Sequence, residues 1–242
     1  MSLNLKDISV NIEGRNLVRD ISLVVNPGEV VGLLGPNGAG KTTTFNLAIG
    51  QLTPDIGEVT LNEETVTLLP MHLRARMGIG YLPQEPSVFR QLTVSQNIDL
   101  ALSQCFPNAS RRRVRREEII EEFNLNAFLE NRGFQLSGGE RRRTEVARAM
   151  SLGRMGPKYL LLDEPFAGVD PIAVADLQKL IEKLRNAGMG ILITDHNVRE
   201  TLAITDRAYI LSDGQILASG TSAQVSNDPL VRRHYLGEGF KF

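Results

Sequence analysis

A single cysteine, Cys105, in a chain of 242 residues excludes an internal disulfide and fits a reducing compartment. No apolar run approaches the roughly 20 residues that a helix needs to cross a bilayer. The longest, such as residues 30–34 and 159–162, are a fraction of that. Residues 1–10 carry charges and no apolar stretch, so neither a signal peptide nor a lipidation site is expected there. The chain is expected to stay in the cytosol, leaving any membrane crossing to another chain. A formal net charge of −1 supplies no global field toward nucleic acid or anionic lipid. Internal repeats and low-complexity linkers are also lacking. What is present is a globular composition, 42% hydrophobic, enough for one α/β domain with a subdomain.

Residues 21–25 read as a strand, the Asn26-Pro27-Gly28 turn follows, and residues 30–34 form a continuous apolar run of the kind buried on both faces of a parallel sheet. A glycine-rich loop and a helix over 41–49, stopped at Gly50, come next. Two later apolar runs, 159–162 and 190–194, read as further central strands. Between them a helix is expected to open with Asp170 as N-cap and Pro171 at its first position. It carries Val174, Leu177, Leu180, Ile181 and Leu184 on one face and ends at Gly188. Ser212-Asp213-Gly214 reads as the turn of a closing β-hairpin. The spacing divides the chain into an α/β core over 1–85 and 157–225, an inserted helical subdomain over 86–156, and a C-terminal tail over 226–242 that is the one candidate appendage. The arginine run 111–116, followed by acidic residues, reads as a solvated helix face, with contact to lipid headgroups or a partner as the alternative.

Gly35-Pro36-Asn37-Gly38-Ala39-Gly40-Lys41-Thr42 fits G-x-x-x-x-G-K-[ST] and lies between a buried strand and a helix, as that pattern requires. Glycines let the backbone wrap a phosphate, while amide N–H groups and the helix N-terminus supply positive charge. Lys41 can reach the β- and γ-phosphates, Thr42 can ligate Mg²⁺, and Thr43 extends the cradle. The strand Tyr159-Leu160-Leu161-Leu162 ends on Asp163 and Glu164, so Asp163 is the candidate Mg²⁺ ligand and Glu164 the candidate general base. These two motifs together point to a nucleoside triphosphatase. Leu136-Ser137-Gly138-Gly139-Glu140 sets a hydroxyl and free amides before an arginine-rich helix, a second phosphate-binding surface formed by Ser137, Gly138 and Gly139.

In that order along the chain these motifs resemble the ABC ATPases, and the resemblance covers essentially the whole sequence. It implies a phosphate-loop fold with a RecA-like core, an antiparallel β edge and an inserted helical subdomain. It also implies ATP and Mg²⁺ as cofactors, and a second copy whose Ser137 segment covers the γ-phosphate. Gln84, in Tyr81-Leu82-Pro83-Gln84-Glu85, resembles the glutamine that contacts Mg²⁺ and the attacking water. His196, in Thr194-Asp195-His196, resembles the switch histidine, and Ala167-Gly168-Val169-Asp170 the loop between subunits. Two membrane permease subunits are implied, docking near Phe89 and Arg90; the alternative for Phe89 is burial within the helical subdomain. Where the family stacks an aromatic on adenine, this chain has Ile12, which weakens adenine selectivity and leaves Arg15 as the candidate platform.

Three phrases narrow the resemblance: Leu69-Pro70-Met71-His72, then Asp163-Glu164-Pro165-Phe166-Ala167-Gly168-Val169-Asp170-Pro171, and Thr194-Asp195-His196-Asn197-Val198-Arg199-Glu200. With the tail Tyr235-Leu236-Gly237-Glu238-Gly239-Phe240 they are similar to the ATPases that power lipopolysaccharide export. That implies attachment to the cytoplasmic face of a Gram-negative inner membrane. ATPases of branched-chain amino-acid importers share much of the second phrase and stand as the alternative. The ABC ATPases of DNA repair and translation are remote, because this chain has neither a long coiled coil nor a second nucleotide domain. No specific nucleic-acid partner is expected.

Overall fold

A computed structural model describes residues 1–153, 156–237 and 239–240. Arg154 and Met155, within the expected helical segment, and Glu238, Lys241 and Phe242, within the expected tail, lie outside the described residues.

Two sheets share the core. The first is antiparallel, in the order β2-β1-β4-β5, from β1 (Leu3–Ile12), β2 (Arg15–Val25), β4 (Ile56–Leu61) and β5 (Glu64–Thr65). The second has six strands in the order β10-β9-β3-β8-β7-β6, from β3 (Val30–Leu34), β6 (Ile79–Leu82), β7 (Tyr159–Asp163), β8 (Gly190–Thr194), β9 (Arg207–Ser212) and β10 (Gln215–Thr221). Strands β3, β7 and β8 are buried along their whole length, which is why they read as unbroken apolar runs rather than as alternation. They run parallel to each other and to β6 and β9, so their C-terminal ends open on one edge, where ligands of open α/β sheets bind. The β9–β10 hairpin turns through Asp213 and Gly214, both with positive φ, as a two-residue turn requires.

Helix α1 (Lys41–Ile49) follows β3, and α2 (Met71–Met77) precedes β6. Between β6 and β7 come α3 (Val94–Cys105), α4 (Ala109–Glu122) and α5 (Gly138–Met150). Their inward residues Ile98, Leu102, Ile119, Ile120 and Val146 join the core cluster that also contains Leu160 and Ile193 of the sheet. Helix α6 (Pro171–Asn186) opens on Asp170, whose Oδ1 accepts the amides of Ile172 and Ala173. Its Val174, Leu177, Ile181 and Leu184 are buried and Leu180 is half-buried beside them. Helices α7 (Val198–Ile204) and α8 (Ser222–Asn227) complete the core.

The described part of the tail does not stand off the core as an appendage. Val231 is fully buried with Leu34, Leu202 and Ile210, and Tyr235, Leu236 and Phe240 pack against the same cluster. The arginine run takes its solvated form on α4: Arg113 pairs with Glu117, Arg115 with Glu118, and Arg116 with Asp99 of α3. Among the described residues, no helix is long and apolar enough to cross a membrane.

Arg74 of α2, 1% exposed, secures the phosphate-loop helix from below. Its guanidinium donates to the carbonyls of Leu47 and Ala48 at the C-terminal end of α1, at 2.7 and 2.9 Å, and to those of Leu69 and Thr67. A cation there satisfies carbonyls that the helix leaves unpaired and opposes the negative end of its dipole. Arg74→Met keeps the apolar stem but strands those buried acceptors, each costing about 1–3 kcal/mol. The variant is expected to lose about 3 kcal/mol or more of stability, read as a lower midpoint in a denaturant titration; an unchanged midpoint would show that the carbonyls find other partners.

Candidate active site

The loop between β3 and α1 folds back over its own lysine. Gly35 has φ 152° and a Cβ there would lie 2.2 Å from the Leu211 carbonyl; Gly40 has φ 103° and a Cβ would lie 2.8 Å from the Leu17 carbonyl. Both positions exclude a side chain, for conformation and for space. Lys41 Nζ, nearly buried, donates to the carbonyls of Gly35 and Pro36 at 2.7 and 3.0 Å. Burial lowers the Lys41 pKa, and the charges of Glu164 and Asp163 partly offset that. Both carbonyl partners are neutral, so an anionic phosphate oxygen is the stronger acceptor for the ammonium.

Strand β7 carries Asp163 and Glu164 to the same edge, with Asp163 paired in register to Thr194 of β8. The two carboxylates are separated by a backbone turn: Glu164 has φ 50°, a left-handed conformation uncommon outside glycine. It is held on both sides, its N–H donating to the Thr194 carbonyl at 2.8 Å and its own carbonyl accepting from Arg142 at 2.9 Å. The Glu164 carboxylate then receives two donors, Gln84 Nε2 on Oε2 and His196 Nε2 on Oε1, each at 2.8 Å. Three residues far apart in sequence thus meet at one carboxylate.

Asp163, 2% exposed, faces a different environment. Burial and the neighbouring Glu164 charge push its pKa up to about 6, against the opposing pull of Lys41, Arg142 and a hydrogen bond from the Tyr81 phenol. Burial and the Asp163 charge in turn push Tyr81 up to about 12. The Oδ1 of Asp163 is a buried acceptor with no hydrogen-bond partner, and so is the Thr194 hydroxyl. An orphaned carboxylate oxygen beside a phosphate loop fits a hard cation. Mg²⁺ is such a cation, taking few protein ligands and the rest from phosphate and water.

Asn37, Gly38, Gly40, Lys41, Thr42 and Thr43 line an open pocket of about 460 Å³, together with Gln84, Glu164 and His196. Gly35 and Ala39 are buried in the loop behind it. Ile12 and Arg15 face each other at the exposed β1–β2 turn and are not among the lining residues, whereas Leu17, which sequence reasoning passed over, is. Ser137, Gly138 and Gly139 also stand outside the pocket. Ser137 is an exposed N-cap whose Oγ accepts the Glu140 amide and donates to Glu140 Oε2. A Cβ on Gly138 would lie 3.0 Å from the Gly168 carbonyl, and one on Gly139 would lie 2.6 Å from the Ala173 Cβ. The two glycines therefore also permit α5 to abut the loop before α6.

Arg142 was hidden inside an arginine-rich helix. It is 4% exposed and spends its donors on the carbonyls of Pro83, Gln84, Glu164 and Pro165 and on Glu145 Oε2. Only the helical period offered a signal, since Arg142, Glu145, Val146 and Ala149 fall on one buried face. Asp195, buried, similarly accepts the amides of Phe166 and Asn197. Beyond Gln84 the chain reaches a second, largely apolar groove lined by Met71, Tyr81, Pro83, Phe89, Leu100 and Ala149. Phe89 is 49% exposed there, with the Arg148 guanidinium 5.0 Å from its ring centroid, so it is not interior packing. Arg90 beside it is exposed.

Comparison with known proteins gives two family matches. A model described as "ABC transporter" matches residues 18–167, and one described as "Branched-chain amino acid ATP-binding cassette transporter" matches residues 215–241. The chain is 53% identical over 240 residues to the lipopolysaccharide export system ATP-binding protein LptB of Haemophilus influenzae, covering 99% of this chain and 98% of that protein. It is 51% identical over 242 residues to the protein of the same name in Escherichia coli K12, covering 99% of each. Among solved structures, a nucleotide-free ATP-binding cassette from an ABC transporter aligns with a TM-score of 0.87 at 27% identity, covering 98% of this chain and 100% of that one. The ADP conformation of MJ1267, an ATP-binding cassette of an ABC transporter, aligns with a TM-score of 0.86 at 27% identity and the same coverage.

The electrostatics of Asp163 set function against stability. A raised carboxyl pKa means that the ionised group weighs against the folded state at pH above about 6, and that this penalty is relieved as pH falls. Asp163→Asn removes the charge at constant size. It is expected to raise the stability of the nucleotide-free protein at pH 7.5 by roughly 1–3 kcal/mol, seen as a higher melting temperature, while abolishing ATP hydrolysis. A variant no more stable than the parent would mean that the charge is compensated in the folded protein.

Proposed function

The chain belongs to the ABC transporter ATP-binding family, and from that premise we propose that it is the ATP-hydrolysing subunit of a lipopolysaccharide exporter. The observation that carries the catalytic reading is the meeting of Gln84, Glu164 and His196 at one carboxylate beside Lys41. In this reading the Asn37–Gly38–Ala39–Gly40 amides and Lys41 bind the β- and γ-phosphates. Thr42, Asp163 and Gln84 would hold Mg²⁺, which when bound neutralises charge developing on the phosphoryl oxygens. Glu164 takes the proton of the attacking water, held in place by its bonds to Gln84 and His196. The pocket is open, and Ser137, Gly138 and Gly139 lie outside it. This favours a second copy of the chain that brings its Ser137 segment over the nucleotide.

The groove beside Phe89 suits a short helix from each of two membrane permease subunits: it is apolar, flanked by cationic Arg90 and Arg148, and continuous with the Gln84 segment. The chain would then work on the cytoplasmic face of an inner membrane. Identity of 51–54% to proteins named for lipopolysaccharide export, over 94–99% of this chain, favours that cargo. The match of residues 215–241 to a branched-chain amino-acid transporter model supports an importer as the second reading.

Three experiments separate these statements. Glu164→Gln retains nucleotide binding and is expected to cut ATP hydrolysis by about 10²–10⁴-fold, as loss of a general base does; a steady-state rate above about a tenth of the parent's would remove Glu164 from that role. Phe89→Ala is expected to leave the ATPase activity of the isolated subunit intact while membrane subunits no longer co-purify. In vesicles reconstituted with the co-purified parent complex, ATP-dependent release of lipopolysaccharide supports export. ATP-dependent leucine uptake without such release would select the importer.

A further inference from the structure

Strand β8 ends at Thr194, and the chain turns through Asp195, His196 and Asn197 before α7 begins. One buried carboxylate sets the course of that turn. Asp195 Oδ1 accepts the Asn197 amide and its Oδ2 accepts the Phe166 amide, each at 2.8 Å. The first bond closes the backbone around His196. The second crosses to the segment that follows Glu164, whose own amide donates to the Thr194 carbonyl at 2.8 Å. The end of β8 and the Glu164 turn are therefore joined twice, and Phe166 is anchored in the core with Leu162, Val174 and Ile193.

His196 needs such an anchor. Its side chain is half-exposed and reaches Glu164 Oε1 from the middle of the turn. An exposed side chain changes rotamer on a picosecond-to-nanosecond scale, so a fixed backbone beneath it narrows the positions open to the ring. We propose that Asp195 is a positioning residue for ATP hydrolysis: by joining the Asn197 and Phe166 amides it fixes the backbone from which His196 reaches Glu164. The consequence for hydrolysis rests on the reading of Glu164 and His196 as the hydrolytic pair; the placement of the ring does not. An ionised carboxylate suits the task, since it offers two acceptor oxygens and makes charge-assisted bonds to both amides. An asparagine of the same size has one oxygen and turns an NH₂ group toward the other donor.

Asp195→Asn therefore keeps the volume and loses one of the two links. Asp195→Ser is the second variant: its single short oxygen suits the local turn to Asn197 and gives up the tie to Phe166. Nitrogen NMR of ring-labelled histidine reads the result on the full chain without nucleotide. The sequence has three histidines, so His196 is assigned by the signal missing from His196→Ala, while His72 on α2 and His234 in the tail report an intact fold. Glu164→Ala, which removes the acceptor, gives the shift of a ring released from Glu164. Both Asp195 variants are expected to move the His196 signal toward that shift and to leave His72 and His234 where the parent has them. Their kcat for ATP is expected to fall by about 10²-fold, the cost of a misplacement of about 1 Å, with KM unchanged. A His196 signal at the parent's position in both variants overturns the proposal, and so does a displaced signal with the parent's kcat. Displaced His72 and His234 signals in both variants also overturn it, since Asp195 then supports the fold at large. If Glu164→Gln proves active, the reading of Glu164 as the base fails by itself, and the ring signal still decides whether Asp195 places His196.

Discussion

The site depends on one buried guanidinium. Arginine has five N–H donors in a rigid plane, and Arg142 places them on four backbone carbonyls and the Glu145 carboxylate. Two of those carbonyls belong to the Pro83-Gln84 segment and two to Glu164-Pro165. The segment carrying Gln84 and the turn carrying Glu164 are thus fixed to one side chain, and through it to α5. Without that clamp, the left-handed Glu164 would relax toward commoner backbone conformations. Its carboxylate would leave the reach of Gln84 and His196. Glu145 is drawn into the same arrangement: its other oxygen accepts the amides of Ser87 and Val88, so the clamp continues toward Phe89 and the groove.

This arrangement gives α5 two ends with different work. Its N-terminus presents Ser137 and the two glycines, which stand against Gly168 ahead of α6 and Ala173 in the first turn of α6. Its middle holds Gln84 and Glu164 through Arg142, and Arg148 near its end covers Phe89 and bonds the Ser87 carbonyl. One rigid helix therefore touches the exposed Ser137 surface, the Glu164 carboxylate and the apolar groove beside Phe89. A rigid-body rotation of α5 would shift all three together, because one ladder of helical hydrogen bonds joins its two ends.

The residues that act through backbone or through charge at a strand end were legible in the sequence, because chemistry fixes their order and spacing. The phosphate loop, the Asp163-Glu164 pair, the Asp170-Pro171 helix start and the buried strands β3, β7 and β8 all read directly. Arg142 did not. Its role arises from tertiary contacts with segments some twenty to sixty residues away, at Glu164 and Gln84, and apart from the helical period nothing local distinguishes it from the exposed Arg113. The tail was misjudged for the converse reason: Val231, Tyr235 and Leu236 are too sparse to show a period, yet each finds the apolar patch left beside Leu34 and Ile210.

The distribution of contacts around the pocket also bears on selectivity. The phosphate side is crowded with fixed donors: loop amides, Lys41, the N-terminus of α1, and Gln84 and His196 beyond them. On the base side the strand hairpin offers Leu17 at the wall and the Ile12–Arg15 pair at its tip, with no aromatic ring among them. A base stacked on an aromatic side chain gains about 1–3 kcal/mol, and an aliphatic contact lacks that face-to-face term. The polar donors of the pocket therefore lie with the phosphate loop, Gln84 and His196, while the hairpin adds the aliphatic surface of Leu17.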